Sequence, residues 1–442
     1  MDYIEYYLNK GVMNKNNSID ALHCIISLDM EKEYDVGIML RLIADFEVLS
    51  SFTKYFKKKE CLRPILINAL ATNKHNRRAF DFIRQYGYDY LLFPQVLERS
   101  MKAGVRYLAQ CHLKQSNECE FIPFEQLLGL FSGLPAAQIL LVEEFLYQGE
   151  NEKTQIICNE FKLWDSFDML DKPTQKKLSG LKKEKPKPLK VTDFFGPEGS
   201  KCFAMPIKET DIIFVDSPFK VDLAAPLLLE QFIGLDTEWR PALCQGHNPR
   251  TSILQLSGEK CFVIIDLIKL GNDEKLNEFI GKLFKSNTIY KVGVAIINDL
   301  AKLCYCYPEL KSFRTVNSVI DICDMAADYG CSKKGLSEIC KNILGISLCK
   351  AETQSNWEKR PLKLKQLHYA IADAYTGVLV AKEVIKQIKV SPENYITTYT
   401  YSQKEFKETA HTIRESDLFS LDVIRASRKS MKDSSLILNN NS

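Results

Sequence analysis

The hydrophobic pattern of this chain changes period once, and the change points to two architectures in series. From Ile19 to about Leu170 the apolar residues recur at helical spacing. Leu97, Met101, Val105 and Leu108, for example, fall on one helix face. Further runs at Val36–Phe56, Leu62–Ala71, Phe124–Phe131 and Ile139–Tyr147 are separated by short breaks, Thr72-Asn73-Lys74 and Ser132-Gly133-Leu134-Pro135. The second break places Pro135 at a first helical position, where its missing N–H costs nothing. From about Asp211 the runs shorten to strand length: Ile212–Val215, Phe232–Leu235, Ile253–Leu256, Phe262–Ile265, Ile289–Val294 and Val319–Ile322. Helical stretches lie between them at Lys275–Phe284, Asp299–Cys306 and Leu336–Leu344, and a long one runs from about Leu362 to Ile388. The expectation is an all-α, helical-repeat-like domain of stacked helix pairs, without a clean repeat period, followed by an α/β domain with a mixed sheet.

Composition sets the boundaries. Gln175–Val191 carries Lys176, Lys177, Lys182, Lys183, Lys185, Lys187 and Lys190 with Gly180, Pro186 and Pro188, and reads as a linker, either a solvated spacer or a strap for phosphates. The sequence therefore divides into a helical domain over 1–174, a Lys/Pro-rich linker over 175–195, an α/β domain over 196–390 and a polar, loosely ordered tail over 391–442. An apolar share of 45% and a charged share of 26% exclude wholesale disorder. No stretch reaches the ~18 apolar residues of a membrane span, and Met1-Asp2-Tyr3-Ile4-Glu5 opens no signal peptide. An intracellular protein, cytoplasmic or nuclear and without a membrane partner, is expected. The 14 cysteines include no Cys-x-x-Cys, so reduced, buried thiols are expected rather than zinc or disulfides. A net charge of +3 is too small to mark a polyanion binder, so any basic surface must be local.

Three places carry acids that a core would not otherwise hold. The strand Phe232–Leu235 runs into Asp236-Thr237-Glu238-Trp239, and residues i and i+2 of an extended chain face the same way. A buried run, Lys291-Val292-Gly293-Val294, leads to a helix whose first turn holds Asp299. On the late helix, Tyr369 and Asp373 stand i and i+4 on one face among Ala370, Ile371, Ala372 and Ala374. Singly, each has a plainer explanation: a surface turn, helix capping by Asn298 or Asp299, a core tyrosine beside a solvated acid. Together they form an oxygen-only donor set without a His/Cys cluster, which suits hard divalent ions, Mg²⁺ or Mn²⁺.

The set Asp236-x-Glu238, Asp299 and Tyr369-x-x-x-Asp373 resembles the DEDD superfamily of 3′→5′ exonucleases, in the tyrosine-bearing branch that includes ribonuclease D and the Werner-syndrome exonuclease. The likeness covers about Asp211–Ile388. It extends to Ile253-Leu254-Gln255-Leu256, Gly335-Leu336-Ser337, and Ser355-Asn356-Trp357 with Arg360-Pro361-Leu362. The wording Glu238-Trp239-Arg240-Pro241, joined to a helical first half, most resembles the Nibbler-type (Mut-type) exonucleases that trim small-RNA 3′ ends. Polymerase proofreading domains place an Asn where this chain has Ala295, and Asn356 stands where many relatives have Asp.

The resemblance implies a ribonuclease H-like fold and hydrolysis of a strand from its 3′ end, of RNA more than DNA, with two Mg²⁺ or Mn²⁺ ions. It implies Asp236, Glu238, Asp299 and Asp373 as metal ligands and Tyr369 as the group that orients water. Thr237 and Trp239 are expected at the substrate, and His368 in a structural role. A protein partner such as an Argonaute is expected on the helical part. A binding module that grips RNA without cutting it is the competing expectation.

Overall fold

The computed structural model describes residues 15–27, 53, 56–57, 60–72, 75–113, 121–168, 170–183, 208–245, 247–331, 335–401 and 415–429. Among them, β1 (Ile212–Val215), β2 (Phe232–Trp239), β3 (Thr251–Ser257), β4 (Phe262–Asp266), β5 (Tyr290–Gly293), β6 (Thr315–Asp321) and β7 (Thr397–Thr400) form one mixed sheet in the order β1-β4-β3-β2-β5-β6-β7. The antiparallel run β2-β3-β4 comes from consecutive strands, β2 and β3 joined by the loop 240–250 and β3 and β4 by the short turn 258–261. Parallel neighbours β5 and β6 each follow a helical crossover, as parallel pairing requires. The central strands are apolar on both faces because both are covered.

The helical part comprises α1 (Lys15–Ser27), α2 (Arg63–Thr72), α3 (Asn76–Tyr86), α4 (Pro94–Leu113), α5 (Phe124–Phe131), α6 (Pro135–Tyr147), α7 (Asn151–Glu160) and α8 (Lys172–Lys183). Leu97, Met101, Val105 and Leu108 are all buried, and Pro135 opens α6 as its position predicts. The α/β part adds α9 (Glu274–Lys285), α10 (Ile296–Cys306), α11 (Ile322–Asp328), α12 (Leu336–Leu344) and α13 (Leu364–Ile388). On one face of β2, Ile233 and Leu235 pack with Ile280 of α9 and with Ile296 and Leu300 of α10. On the other lies α13, against both β2 and β3.

Two expected boundaries are corrected. The start of the lysine-rich segment is helix, because Leu178 and Leu181 are buried in the helical core and Gln155 donates to the Leu181 carbonyl at 2.7 Å. The lysines of α8 need only point outward. Residues 184–195 lie outside the described residues, as does most of Val36–Phe56. The tail is not loosely ordered throughout either. β7 pairs antiparallel with β6, and Leu418, Phe419, Val423 and Ile424 are buried in the helical core. Those four are too few to stand out against polar neighbours.

The helical part is also not closed off at residue 174. Leu243 and Cys244, from the loop after β2, belong to the same apolar core, and Arg428 pairs with Glu98 and Glu143. At Gly104 of α4 a Cβ would stand 1.9 Å from the Leu243 carbonyl oxygen, so only glycine admits this docking. Gly129 of α5 has open space around it. Gly104→Ala is therefore expected to destabilise the chain by about 1–3 kcal/mol through overpacking, whereas Gly129→Ala stabilises it by up to about 1 kcal/mol through helix propensity. Thermal melting of both variants checks this, and a Gly104→Ala melt at or above wild type would contradict the packing.

Candidate metal centre and active site

β2 lies between β3 and β5, and its alternation sorts its end into two sets. Gly234, Asp236 and Glu238 face α13; Thr237, in step with Ile233 and Leu235, faces the α10 side. The approach of α13 is close: a Cβ on Gly234 would stand 1.8 Å from the Ala374 carbonyl oxygen. That contact sets the neighbouring Asp373 beside the strand. Oxygens of Asp236, Glu238 and Asp373 then all lie within 4.8 Å of one another. The two-apart and four-apart spacings read from the sequence thus converge on one point.

Asp299 does not join this trio. It comes from α10, on the opposite side of β2, and its Oδ1 accepts a hydrogen bond from the Thr237 hydroxyl. Capping does not explain it, because α10 begins at Ile296 after Ala295, which takes a left-handed conformation at φ 52°. Asp321 holds that entry, its Oδ1 accepting from the Ala295 amide at 3.1 Å and the Cys323 amide at 2.9 Å. Thr237, expected at the substrate, ties the fourth acid to the strand that carries the first two through its hydroxyl.

Tyr369 sits one turn before Asp373, its hydroxyl 3.1 Å from Thr353 Oγ1 and its ring 5.9 Å from the buried Trp357 ring. Both partners belong to the loop before α13. Arg360 anchors that loop with a two-pronged pair to buried Asp266, at 2.7 and 2.8 Å. Asn356 donates to the Gly129 carbonyl of α5 at 2.8 Å, so the loop is fixed to the helical part as well. Beyond the acids, Arg240 donates to the carbonyls of Leu130 and Ser132. Trp239 is partly exposed, with Lys302 Nζ 4.3 Å over one face and bonded to Asn248 Oδ1 at 3.0 Å. It is not a plain core tryptophan.

Burial and mutual repulsion govern the electrostatics. Burial, then the charge of Asp373, raises the Asp236 carboxyl above the usual carboxylate range. Glu238 is raised by burial and by Asp236, Asp373 and Asp299; Asp299 by burial and by Asp236. Burial raises Asp373 too, against a hydrogen bond from Tyr369 and the charge of Lys350. The Tyr369 phenol is pushed up by burial, then by Asp373 and Glu238, which leaves it a hydroxyl at neutral pH. The trio keeps partial solvent exposure, so an ion can reach it. Carboxylate oxygens crowded in this way fit a hard divalent cation, which offsets their repulsion.

The Arg360–Asp266 pair, the Thr353 contact and the Lys302 cation over Trp239 join residues 16 to 94 positions apart and leave no local signal in the sequence. Sequence reading also passed over Gln255, the one polar residue in Ile253-Leu254-Gln255-Leu256, although a lone amide in an otherwise apolar strand was a visible signal.

Residues 214–389 match the family model described as 3′-5′ exonuclease. Over 170 residues the chain is 29% identical to the Homo sapiens protein named "Exonuclease mut-7 homolog", a match covering 34% of this chain and 19% of that protein. Over 176 residues it is 29% identical to the Caenorhabditis elegans "Exonuclease mut-7", covering 36% of this chain and 19% of that one. The matched part thus spans about a fifth of the length of these relatives. Among solved structures it is similar to the Aedes aegypti Nibbler EXO domain, with 21% identity, a TM-score of 0.38, and coverage of 44% of this chain and 97% of that one.

The raised carboxyls fix the sign of a pH effect. Between their ordinary range near about 4 and their raised folded values, the folded chain binds more protons than the unfolded one. Stability contributed by these groups therefore falls as pH rises. In EDTA the wild type should lose stability from pH ~5.5 to ~8 more steeply than Asp236→Asn, and Mn²⁺ should restore more at the higher pH, since it binds the ionised form. Melting curves at both pH values check this; identical slopes for wild type and Asp236→Asn would contradict it.

Proposed function

We propose, from the premise that residues 214–389 form a DEDD-type 3′–5′ exonuclease domain, that this chain hydrolyses nucleic acid from the 3′ end and releases nucleoside monophosphates. The observation that carries the reading is the convergence of Asp236, Glu238 and Asp373 within 4.8 Å, with Tyr369 one turn from Asp373. In this reading Asp236, Glu238 and Asp373 would hold one divalent cation, and Asp236 would also hold a second, with Asp299 helping through its shell. Two such ions supply charge stabilisation for the attacking and leaving oxygens of a phosphoryl displacement.

The protein's own groups do the rest. Tyr369, kept protonated by its surroundings, offers a hydroxyl that orients the attacking water, the role a tyrosine-bearing branch would give it. The Thr353 contact and the Trp357 ring hold that hydroxyl in place. The water oxygen bonds to the phosphorus of the last phosphodiester, the bond from that phosphorus to the 3′-oxygen of the preceding nucleotide breaks, and the proton that water gives up is matched by one taken up at the leaving 3′-oxygen. Trp239 offers a ring edge and one face for the terminal base, its other face being taken by Lys302. Stacking of this kind tolerates any base.

RNA is the favoured substrate, on the Nibbler-type wording Glu238-Trp239-Arg240-Pro241, with trimming of small-RNA 3′ ends as the role. The helical part then serves as the docking body for a protein partner such as an Argonaute.

The test is a degradation ladder on matched 5′-labelled single-stranded RNA and DNA with Mg²⁺, Mn²⁺ or EDTA. Asp236→Ala and Asp373→Ala are expected to fall below about a tenth of the wild-type rate, a change worth about 1.4 kcal/mol in the barrier. Tyr369→Phe should slow the reaction about 100-fold, toward the low end for a positioned hydroxyl, with Mn²⁺ affinity unchanged. A ladder in EDTA equal to that in Mg²⁺ would sink the metal assignment. Binding without any ladder would return the chain to a module that grips and does not cut.

A further inference from the structure

Gln255 lies in the middle of β3 with 0% of its surface exposed, and among the described residues neither its Oε1 nor its Nε2 has a hydrogen-bond partner. An orphaned buried amide group carries a desolvation cost, and a leucine or methionine of similar volume would carry no such penalty. The position is specific. Gln255 pairs in register with Asp236 on β2 and with Ile264 on β4. Directly opposed residues of antiparallel strands share a face, with Cβ atoms about 4.5–5.5 Å apart. Gln255 therefore stands beside Asp236 on the face that α13 covers. Its companions there, Ile253 and Ile264, are apolar side chains that pack with Trp357, Ala370 and Ile371. Asp236 is the polar neighbour that the register supplies.

We propose that Gln255 is a positioning residue for Asp236: with a divalent cation bound, its amide N–H donates to the Asp236 carboxylate and fixes which way that carboxylate faces. Gln255 touches neither ion nor substrate. A planar carboxylate that ligates through one oxygen leaves lone pairs on the other, and in a dry sheet interior the adjacent amide is the donor to meet them. Partners of this outer kind typically contribute 10–100-fold in metal affinity. The amide is thus unpaired in the ion-free chain and paired in the loaded one, so its cost falls on the first and its gain on the second. The inference rests on the reading of Asp236 as an ion ligand.

The experiment measures Mn²⁺ binding by titration calorimetry and thermal melting in EDTA, on the full chain and on Gln255→Leu, Gln255→Met and Asp236→Asn. Positioning predicts that both Gln255 variants bind Mn²⁺ about 10–100-fold more weakly while melting in EDTA at or above the wild-type temperature. Unchanged Mn²⁺ affinity would overturn the proposal, and so would weakened affinity accompanied by a lower melting temperature in EDTA for both variants, the pattern of a purely structural glutamine. If leucine alone disturbs the fold, methionine decides, because its unbranched stem follows that of glutamine. Asp236→Asn separates the two levels. If it keeps wild-type affinity, the metal reading itself falls. If it loses Mn²⁺ while the Gln255 variants keep it, only the role of Gln255 falls.

Discussion

The close seating of α13 on β2 is the constraint from which the site follows. A sheet and a helix usually pack through side chains, but at Gly234 the Ala374 carbonyl comes where a Cβ would be. The small residues Ala370, Ala374 and Gly377 on the same helix permit that approach. The consequence is electrostatic: Asp373 is pressed toward Asp236 and Glu238, and three carboxyls share one small volume. Such a cluster is unfavourable in the ion-free chain, and the fold bears the cost because the apolar packing around it is extensive.

The helical part takes its place in the same arrangement. Arg240, two residues beyond Glu238, spends its guanidinium on carbonyls at the end of α5. Asn356, in the loop that holds Tyr369, reaches the Gly129 carbonyl of that same helix. Lys363, at the start of α13, pairs with Glu125. Thus the segments following Glu238 and preceding Tyr369 both close on α5. The C-terminal residues Leu418 and Phe419 add a further tie by entering the helical core, with His247 against the Phe419 ring. The helical part is thereby joined to the segments that frame the acids.

Much of this was legible in the sequence because it depends on local periodicity. Asp236 and Glu238 share a face through the two-residue repeat of a strand, and Tyr369 and Asp373 share one through the helical repeat. The strands beginning at Ile212 and Phe262 and the helix Leu336–Leu344 start where their apolar runs start, since burial and repeat coincide there. The segment 175–183 misled because charge was weighed against two buried leucines. The tail misled because its four apolar anchors sit in polar surroundings.

The sequence alone determined which residues carry acids, in what order, and which pairs must point the same way, because strand and helix geometry act over two to four residues. Only the tertiary structure decided that Asp299 approaches from the far side of β2 through Thr237, and that Gln255 stands buried beside Asp236. It also decided that α5 closes on both Arg240 and Asn356. These relations join residues from 19 positions apart to 227, and no local repeat encodes them. They follow from strand register, from which side of the sheet a crossover helix takes, and from where glycine lets two backbones touch.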